Sequence, residues 1–296
     1  MIRRTNMNPD ALLTADWHIR ADTPQCRTDD FITAMWNKVT YIINLANKYD
    51  IPILLAGDLG QRSQWPNWLI EKFMRAAYHS QIIAIPGQHD LPEHNLKLQP
   101  KSAFGVLRRS KYINDDIIGV DQNFGLALFP YGVKIKNLKS KTVAMTHQMV
   151  IQDKPEWPGQ VASSGKSLLK KFPDYKLILS GDNHKPFIVE YEGRLLVNPG
   201  SMMRTTADQI NHEPRVYLWY AKENAVEVVY LPIEQGVIDR SHIDTKKEKD
   251  ARIEAYTARL SERYEIGLSF EANLEEHFKT NRTRKPVKER IWEACE

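Results

Sequence analysis

Asp16, His18, Asp58, Gln88, His89, Asp90, His147, Asp182 and His184 are the side chains of this 296-residue sequence best suited to hold metal ions or move protons, and they follow short apolar runs. Ala11-Leu12-Leu13 precedes Asp16 and His18, residues 51–56 precede Gly57-Asp58, and Ile82-Ile83-Ala84-Ile85 precedes Pro86-Gly87-Gln88-His89-Asp90. Val143-Ala144-Met145 leads to Thr146-His147, Leu177-Ile178-Leu179 to Gly181-Asp182-Asn183-His184, and Leu195-Leu196-Val197 to Asn198-Pro199-Gly200-Ser201. The donors are carboxylate, amide and imidazole without a thiolate, which suits hard or borderline divalent ions. Mn²⁺ fits the mixed oxygen and nitrogen set best, with Mg²⁺, Fe²⁺ and Zn²⁺ as alternatives. With Gln88 included there are enough ligands for two ions sharing a bridging carboxylate. Two such ions, about 3.5–4 Å apart, activate a water and clamp the attacking and leaving oxygens of a phosphoryl centre, so phosphoester hydrolysis is the implied reaction. A single histidine at a strand end is more often a hydrogen-bonded structural residue than a ligand; recurrence at several strand ends is what speaks for a site. His79, His94, His212, His242 and His277 lack that setting and read as ordinary histidines.

The elements that must position these residues follow from the runs themselves. Each is short, rich in Ile, Val and Leu, and bounded by Gly, Pro or Asp, the pattern of a strand buried on both faces. Polar residues at the carboxyl ends of such strands can converge although they are far apart in sequence. Between the first two strands, Asp29 or Asp30 can cap a helix whose Phe31, Met35, Val39, Ile42 and Ala46 keep helical spacing, giving a βαβ unit. A second helix is expected with Pro66 in its first turn and Trp68, Leu69, Phe73 and Ala77 turned inward. From 91 to 141 the pattern loosens, with residues 124–129 the clearest strand; Lys134, Lys136, Lys139 and Lys141 read as a solvated hairpin or a phosphate contact. Residues 216–220 and 226–231 look like a closing hairpin. Past Gly236 the chain turns charged and helical, which suggests a main domain over 1–236 and a helical extension over 237–296. That extension carries one helix through Ile253, Tyr256, Leu260 and Tyr264, a second around 270–278 and a third begun by Pro286.

Composition sets the outer bounds. A hydrophobic fraction of 42% can fill a core, and Cys26 and Cys295 form neither a metal spacing nor a disulfide framework, so a reducing, cytoplasmic setting is expected. No apolar run approaches the roughly 18 residues of a membrane span, and the N-terminus does not open as a secretory signal. A net charge of +4 leaves little repulsion toward phosphates.

Together the motifs resemble the calcineurin-like metallophosphoesterase superfamily, whose pattern is Asp-x-His, Gly-Asp, Gly-Asn-His-Asp/Glu, a later His, and Gly-His-x-His. The likeness runs from Thr14 to Ser201. It implies an α/β fold in four layers, α/β/β/α, with the helical extension outside it. It also implies a first metal on Asp16, His18, Asp58 and His184 and a second on Asp58, Gln88, His147 and Asp182, with Asp58 as the bridge. His89 would protonate the leaving oxygen and Asp90 would orient its ring; Arg62, near Asp58 in sequence, is a candidate phosphate contact. Three departures stand out: Gln88 where the family has Asn, Asp182 where it has His, and Gly60 where a bulkier or acidic residue is common.

Within the superfamily, the short first connection, the Asn198–Ser201 turn and Met203-Arg204-Thr205-Thr206 are most similar to SbcD-type DNA repair nucleases of phages and bacteria. The resemblance implies a DNA exo- or endonuclease, a coiled-coil SbcC-type ATPase partner and a homodimer; a phage-encoded chain would act in the host cytoplasm. The basic stretches Arg108-Arg109-Ser110-Lys111 and 134–141 and the basic C-terminus agree with a DNA substrate. Two other readings are a phosphoesterase for nucleotides or phosphoproteins and a DNA-binding subunit with weakened catalysis. Intact His89 and Asp90 speak against the second.

Overall fold

The structure, a computed structural model, describes residues 8–114, 125–153, 162–241, 252–253, 255–256 and 269–295. The chain divides into two compact units, Met1–Asp239 and Arg240–Glu296. The first contains two five-stranded sheets. One joins β1 (Ala11–Thr14), β2 (Ile53–Leu55), β3 (Ile82–Ala84), β11 (Arg215–Tyr220) and β12 (Ala225–Tyr230) in the order β12-β11-β1-β2-β3. The other joins β4 (Leu126–Phe129), β5 (Val143–His147), β8 (Leu177–Gly181), β9 (Phe187–Tyr191) and β10 (Arg194–Asn198) in the order β4-β5-β8-β10-β9. A small separate pair is formed by β6 (Val150–Ile151) and β7 (Ser163–Ser164). β1-β2-β3 run parallel, as do β4-β5-β8-β10, so each set brings its carboxyl ends to one edge.

Alternation along the strands builds the layers. Leu13, Leu54 and Ile83 face Val143, Met145, Leu177, Leu179 and Val197 of the other sheet. Their neighbours Leu12, Ile53, Leu55 and Ile82 pack under α1 (Phe31–Tyr49), α2 (Asn67–Ala77) and α3 (Ala103–Arg109). Behind the second sheet, Ala144, Ile178 and Leu196 pack on Leu168 and Leu169 of α4 (Gly165–Lys171). Strands covered on both faces must be apolar at every position, which is why they read as continuous runs. The result is the expected four layers, α/β/β/α.

Asp30 is the cap of α1, accepting from Thr33 N at 3.1 Å, while Asp29 pairs with Arg27 instead. Pro66 stands just before α2 rather than in its first turn, and Leu69, Phe73 and Ala77 are buried. Trp68 departs from expectation: it is 48% exposed, because it sits one position off the stripe that faces the sheet. The Lys134–Lys141 connection is not a hairpin, since β4 and β5 pair in parallel; Lys134, Lys136 and Lys139 are exposed. β11 and β12 do form the closing antiparallel hairpin.

In the second unit, α5 (Phe270–Thr280) is capped by Ser269, and Pro286 lies in the first turn of α6 (Lys285–Glu293). Trp292 meets Phe278 edge-on at 6.3 Å. Leu260 and Tyr264 lie outside the described residues. Among the described residues no helix is long and apolar enough to cross a membrane.

Lys38 on α1 is 4% exposed. Burial first, then the charges of Arg27 and Arg204, push its ammonium down from 10.5 to about 7, against the pull of Asp29. An unfolded chain restores the ordinary value and therefore binds more protons than the folded one between about pH 7 and 10.5, so stability rises with pH across that window. Below it the lysine is protonated in both states and the penalty is complete. Lys38→Met should raise stability near neutral pH by about 1–4 kcal/mol and flatten the rise at alkaline pH, as read from urea midpoints of both proteins across the window. Parallel pH profiles for the two proteins would contradict it.

Candidate metal centre

The carboxyl ends of β1, β2 and β3 meet those of β5 and β8, and the polar residues that follow them converge. Asp16, His18 and His184 bring ligand atoms within 4.8 Å of one another, as do Asp16, Asp58 and His147, and His18, Asp58 and His89. His18 Nε2 lies 3.0 Å from His184 Nε2 and 3.8 Å from Asp58 Oδ2, while His147 Nε2 is 3.4 Å from the same Asp58 oxygen. Asp16 thus stands with both groups of ligands, a sharing that the resemblance assigned to Asp58 alone.

The backbone is bent to aim these side chains. Asp16, His18, Asp58 and Asp182 all have positive φ, at 51°, 48°, 50° and 75°. Such conformations cost a non-glycine residue on the order of 1 kcal/mol or more and persist where surrounding structure holds them. Asp16 N donates to Gly57 O and His18 N to Asp58 O, stitching the ends of β1 and β2 together. Gly57 itself has φ 92°, and a Cβ there would meet His147 Nδ1 at 2.1 Å, so only glycine lets the ring come this close. His147 Nδ1 lies 2.7 Å from Ala56 O, which turns Nε2 into the site.

A metal pair fits this arrangement. Asp16 Oδ2 and Gln88 Oε1 are buried without a hydrogen-bond partner, and Asp58 Oδ2 and His147 Nε2 have only each other, at 3.4 Å. A buried orphan costs about 1–3 kcal/mol, and two of them beside a buried ion pair have a common explanation in a cation. Burial holds His18 as neutral imidazole, down at about 3, and also lowers His184; both are in the form that binds metal. Burial disfavours charge on Asp58 and His147 too, but each outweighs it for the other: the carboxyl is held well below its usual range and the imidazole is pushed up to about 10.

Gln88 and Asp182, two of the departures, face each other, with Gln88 Nε2 donating to Asp182 Oδ1 at 2.7 Å. The extra methylene of Gln88 and the carboxylate of Asp182 are therefore one interacting pair, and Gln88 Oε1 stays free for an ion. Asp90 does not orient His89. Its Oδ1 accepts from Gly60 N at 2.8 Å, and its Oδ2 accepts from Gly87 N at 2.9 Å and Leu59 N at 3.2 Å, so it clamps two ligand loops together. The His89 ring is instead held through Nδ1 by Gln61 O at 3.0 Å, and His89 N donates to Asp58 Oδ1. A carboxylate 2% exposed and ringed by backbone N–H groups is satisfied where it stands.

The Asn198–Ser201 turn, picked out in the sequence as a strand end, supports the ligands rather than joining them. Ser201 N donates to His184 O and Met202 N to Asp16 O, while Asn198 Nδ2 donates to Asn183 O at 2.6 Å and Lys185 O at 2.8 Å. His212, read as ordinary, donates through Nε2 to Ser201 O at 2.7 Å and so braces that turn. His94 Nδ1 lies 3.1 Å from Gln88 O. Arg62 is exposed beside the site, on the loop after Gly60-Gln61.

A four-layer fold whose strand ends gather carboxylates and imidazoles around one buried point is the arrangement suited to hold paired metal ions for phosphoester hydrolysis. Residues 33–217 match the calcineurin-like phosphoesterase superfamily domain, and the chain belongs to that dinuclear-metal-dependent superfamily. No curated protein sequence matches the chain. Similar solved structures include an archaeal phosphodiesterase (15% identity, TM-score 0.42, covering 75% of this chain and 99% of that one). Another is a hypothetical protein from Pyrococcus horikoshii OT3 (15% identity, TM-score 0.42, covering 81% and 93%). A third is a Staphylococcus aureus protein described as a 5′-nucleotidase (12% identity, TM-score 0.43, covering 81% and 58%). At these scores nothing about substrate follows from them.

Proposed function

We propose that the chain is a metal-dependent phosphodiesterase that cuts DNA, with Mn²⁺ as the preferred ion. The observation that carries this reading is open space on two sides of the metal centre. The His18 ring meets His89 edge-on at 5.1 Å and His184 at 4.9 Å, so the three imidazoles form a chain. Beside the His184 end lies a cavity of about 570 Å³, lined by Asp182, His184, Lys185, His212 and Arg215 among others. Beside the His89 end lies another of about 320 Å³, lined by Arg20, Gln61, Arg62 and Trp65 among others. A phosphodiester carries a substituent on each side of its phosphorus and has use for both spaces; a monoester needs one.

Asp16, His18, Asp58 and His184 would hold the first ion and Asp58, Gln88, His147 and Asp182 the second, with Asp16 placed to share. When bound, such a pair supplies Lewis-acid activation of water and charge for the phosphoryl oxygens. His89 donates through Nδ1 to Gln61 O, which leaves Nε2 for the leaving oxygen; to protonate that oxygen the ring would act as imidazolium, with a proton on both nitrogens. Asp90, Ala56 O and Gln61 O hold the loops and rings in place. The basic Lys134–Lys139 loop and the Arg108–Lys111 stretch suit a polyanion. The Asn198–Ser201 turn and the residues after it brace His184 and Asp16.

The test is hydrolysis of labelled single- and double-stranded DNA with Mn²⁺, with Mg²⁺ or with EDTA, beside bis(p-nitrophenyl) phosphate and a nucleoside monophosphate. Shortened DNA with Mn²⁺ and intact DNA with EDTA are expected. Cleavage confined to the monophosphate would replace this reading with a small-substrate phosphoesterase.

A further inference from the structure

We infer that the cavity between residues 19–22 and 61–69 is a leaving-group subsite, which takes the nucleoside and next phosphate released from the cut diester. The inference rests on the phosphodiesterase reading and names the part of the substrate that enters there. If His89 gives its proton to the leaving oxygen, the group carrying that oxygen lies on the His89 side. Gln61 connects the two: its carbonyl holds the His89 ring at 3.0 Å and its side of the chain lines the cavity. Ile19, directly after the ligand His18, lines the opposite wall. Ile19 N donates to Leu59 O at 2.9 Å and Gln61 N to Ile19 O at 3.0 Å, so the walls are joined by backbone and keep their spacing.

The lining suits a nucleotide. Its volume of about 320 Å³ falls within the range of ligand pockets. Arg20 and Arg62 bring two cations against one carboxylate, Asp22, to which Arg20 is already forked. The Arg62 guanidinium is exposed, and among the described residues no hydrogen bond or ion pair engages it. It is therefore free for a phosphate. Pro66 is exposed and offers apolar surface to a base or sugar, while Trp65 and Leu69 are buried and shape the wall beside it. Gly60 accounts for the Trp65 wall: a Cβ at residue 60 would lie 2.3 Å from Trp65 Nε1 and 2.8 Å from Cε2. The indole fills the place where a side chain at residue 60 would stand, and its Nε1–H donates to Arg62 O at 3.0 Å, which fixes the backbone that carries the free arginine. The departure at Gly60 thus has its physical counterpart in this pocket.

Two measurements on the full chain test the subsite. The first is anisotropy of a fluorescein-labelled phosphorothioate dodecathymidylate in EDTA, titrated over a range of salt. Arg62→Ala should weaken binding about tenfold and lower the slope of log affinity against log salt by about one, and Arg62→Lys should restore most of both. The second compares the trinucleotide thymidylyl-thymidylyl-thymidine with thymidylyl-thymidine, whose leaving thymidine carries no further phosphate. The ratio of their kcat/KM values should fall about tenfold in Arg62→Ala, mainly through KM for the trinucleotide, because only that substrate brings a second phosphate to Arg62. An unchanged salt slope, an unchanged ratio, or no binding by the native chain would overturn the subsite. Arg62-dependent binding by a chain that cuts no DNA would remove the phosphodiesterase reading and with it the leaving-group role, keeping only a phosphate contact at Arg62. Arg62 lies outside the core, so its truncation leaves the fold intact.

Discussion

Replacing Asp58 by asparagine is expected to lower Mn²⁺-dependent hydrolysis by a factor on the order of 10³ or more and to cut the number of ions bound. The substitution keeps size and removes charge at the one carboxylate that lies within 3.4 Å of His147 and 3.8 Å of His18. Neutral imidazoles alone attract a divalent ion less than imidazoles backed by a carboxylate, and two-metal stabilisation of a phosphoryl centre is worth several kcal/mol, each 1.36 being about tenfold in rate. Calorimetric titration with Mn²⁺ gives the stoichiometry and stopped-time assays the rate. Two ions bound with native affinity by Asp58→Asn would remove Asp58 from its bridging role. Asp16→Asn is the companion measurement, because Asp16 stands in two of the ligand groups and a comparable loss there would show the charge to be divided between the two carboxylates.

His89→Ala is expected to behave differently: both ions stay, and kcat on DNA falls by about 10² to 10⁴, the usual worth of a positioned proton donor. Leaving-group chemistry sharpens the test. The oxygen expelled from DNA is a poor leaving group that needs protonation, whereas p-nitrophenolate departs well without it. The loss on bis(p-nitrophenyl) phosphate should therefore be much smaller than on DNA. Equal losses on both substrates would assign His89 to binding alone. The His89 backbone N–H donates to Asp58 Oδ1 at 3.0 Å, a contact that alanine retains, so the carboxylate should keep its place.

What could be read in the chain without its fold is considerable, and the reason is geometric. A parallel strand covered on both faces must be apolar throughout, so each strand announces itself as an unbroken run, and its carboxyl end is the next polar residue. The places of Asp16, His18, Asp58, Gln88, His147, Asp182 and His184 at strand ends were legible for that reason. The helical stripe Phe31, Met35, Val39, Ile42 and Ala46 was legible from its period, and all five are buried.

Other features depended on partners distant in sequence. Asp90 follows His89 and looks like its orienting carboxylate, yet the folded chain surrounds it with the N–H groups of Leu59, Gly60 and Gly87 and gives the ring to the carbonyl of Gln61. A backbone carbonyl has no residue type, so no sequence pattern could mark Gln61 or Ala56. The pairing of Gln88 with Asp182 spans 94 positions and turns two separate departures into one contact. Trp68 and Trp65 are both tryptophans on one stretch, but only packing decides that Trp65 closes on Gly60 while Trp68 faces outward. Residue types and their order thus determined which groups gather and what chemistry they can do. The left-handed backbone at Asp16, His18, Asp58 and Asp182, and the cavities on either side, arose only when the two sheets packed face to face, because distances between their strand ends are set by packing of the whole core.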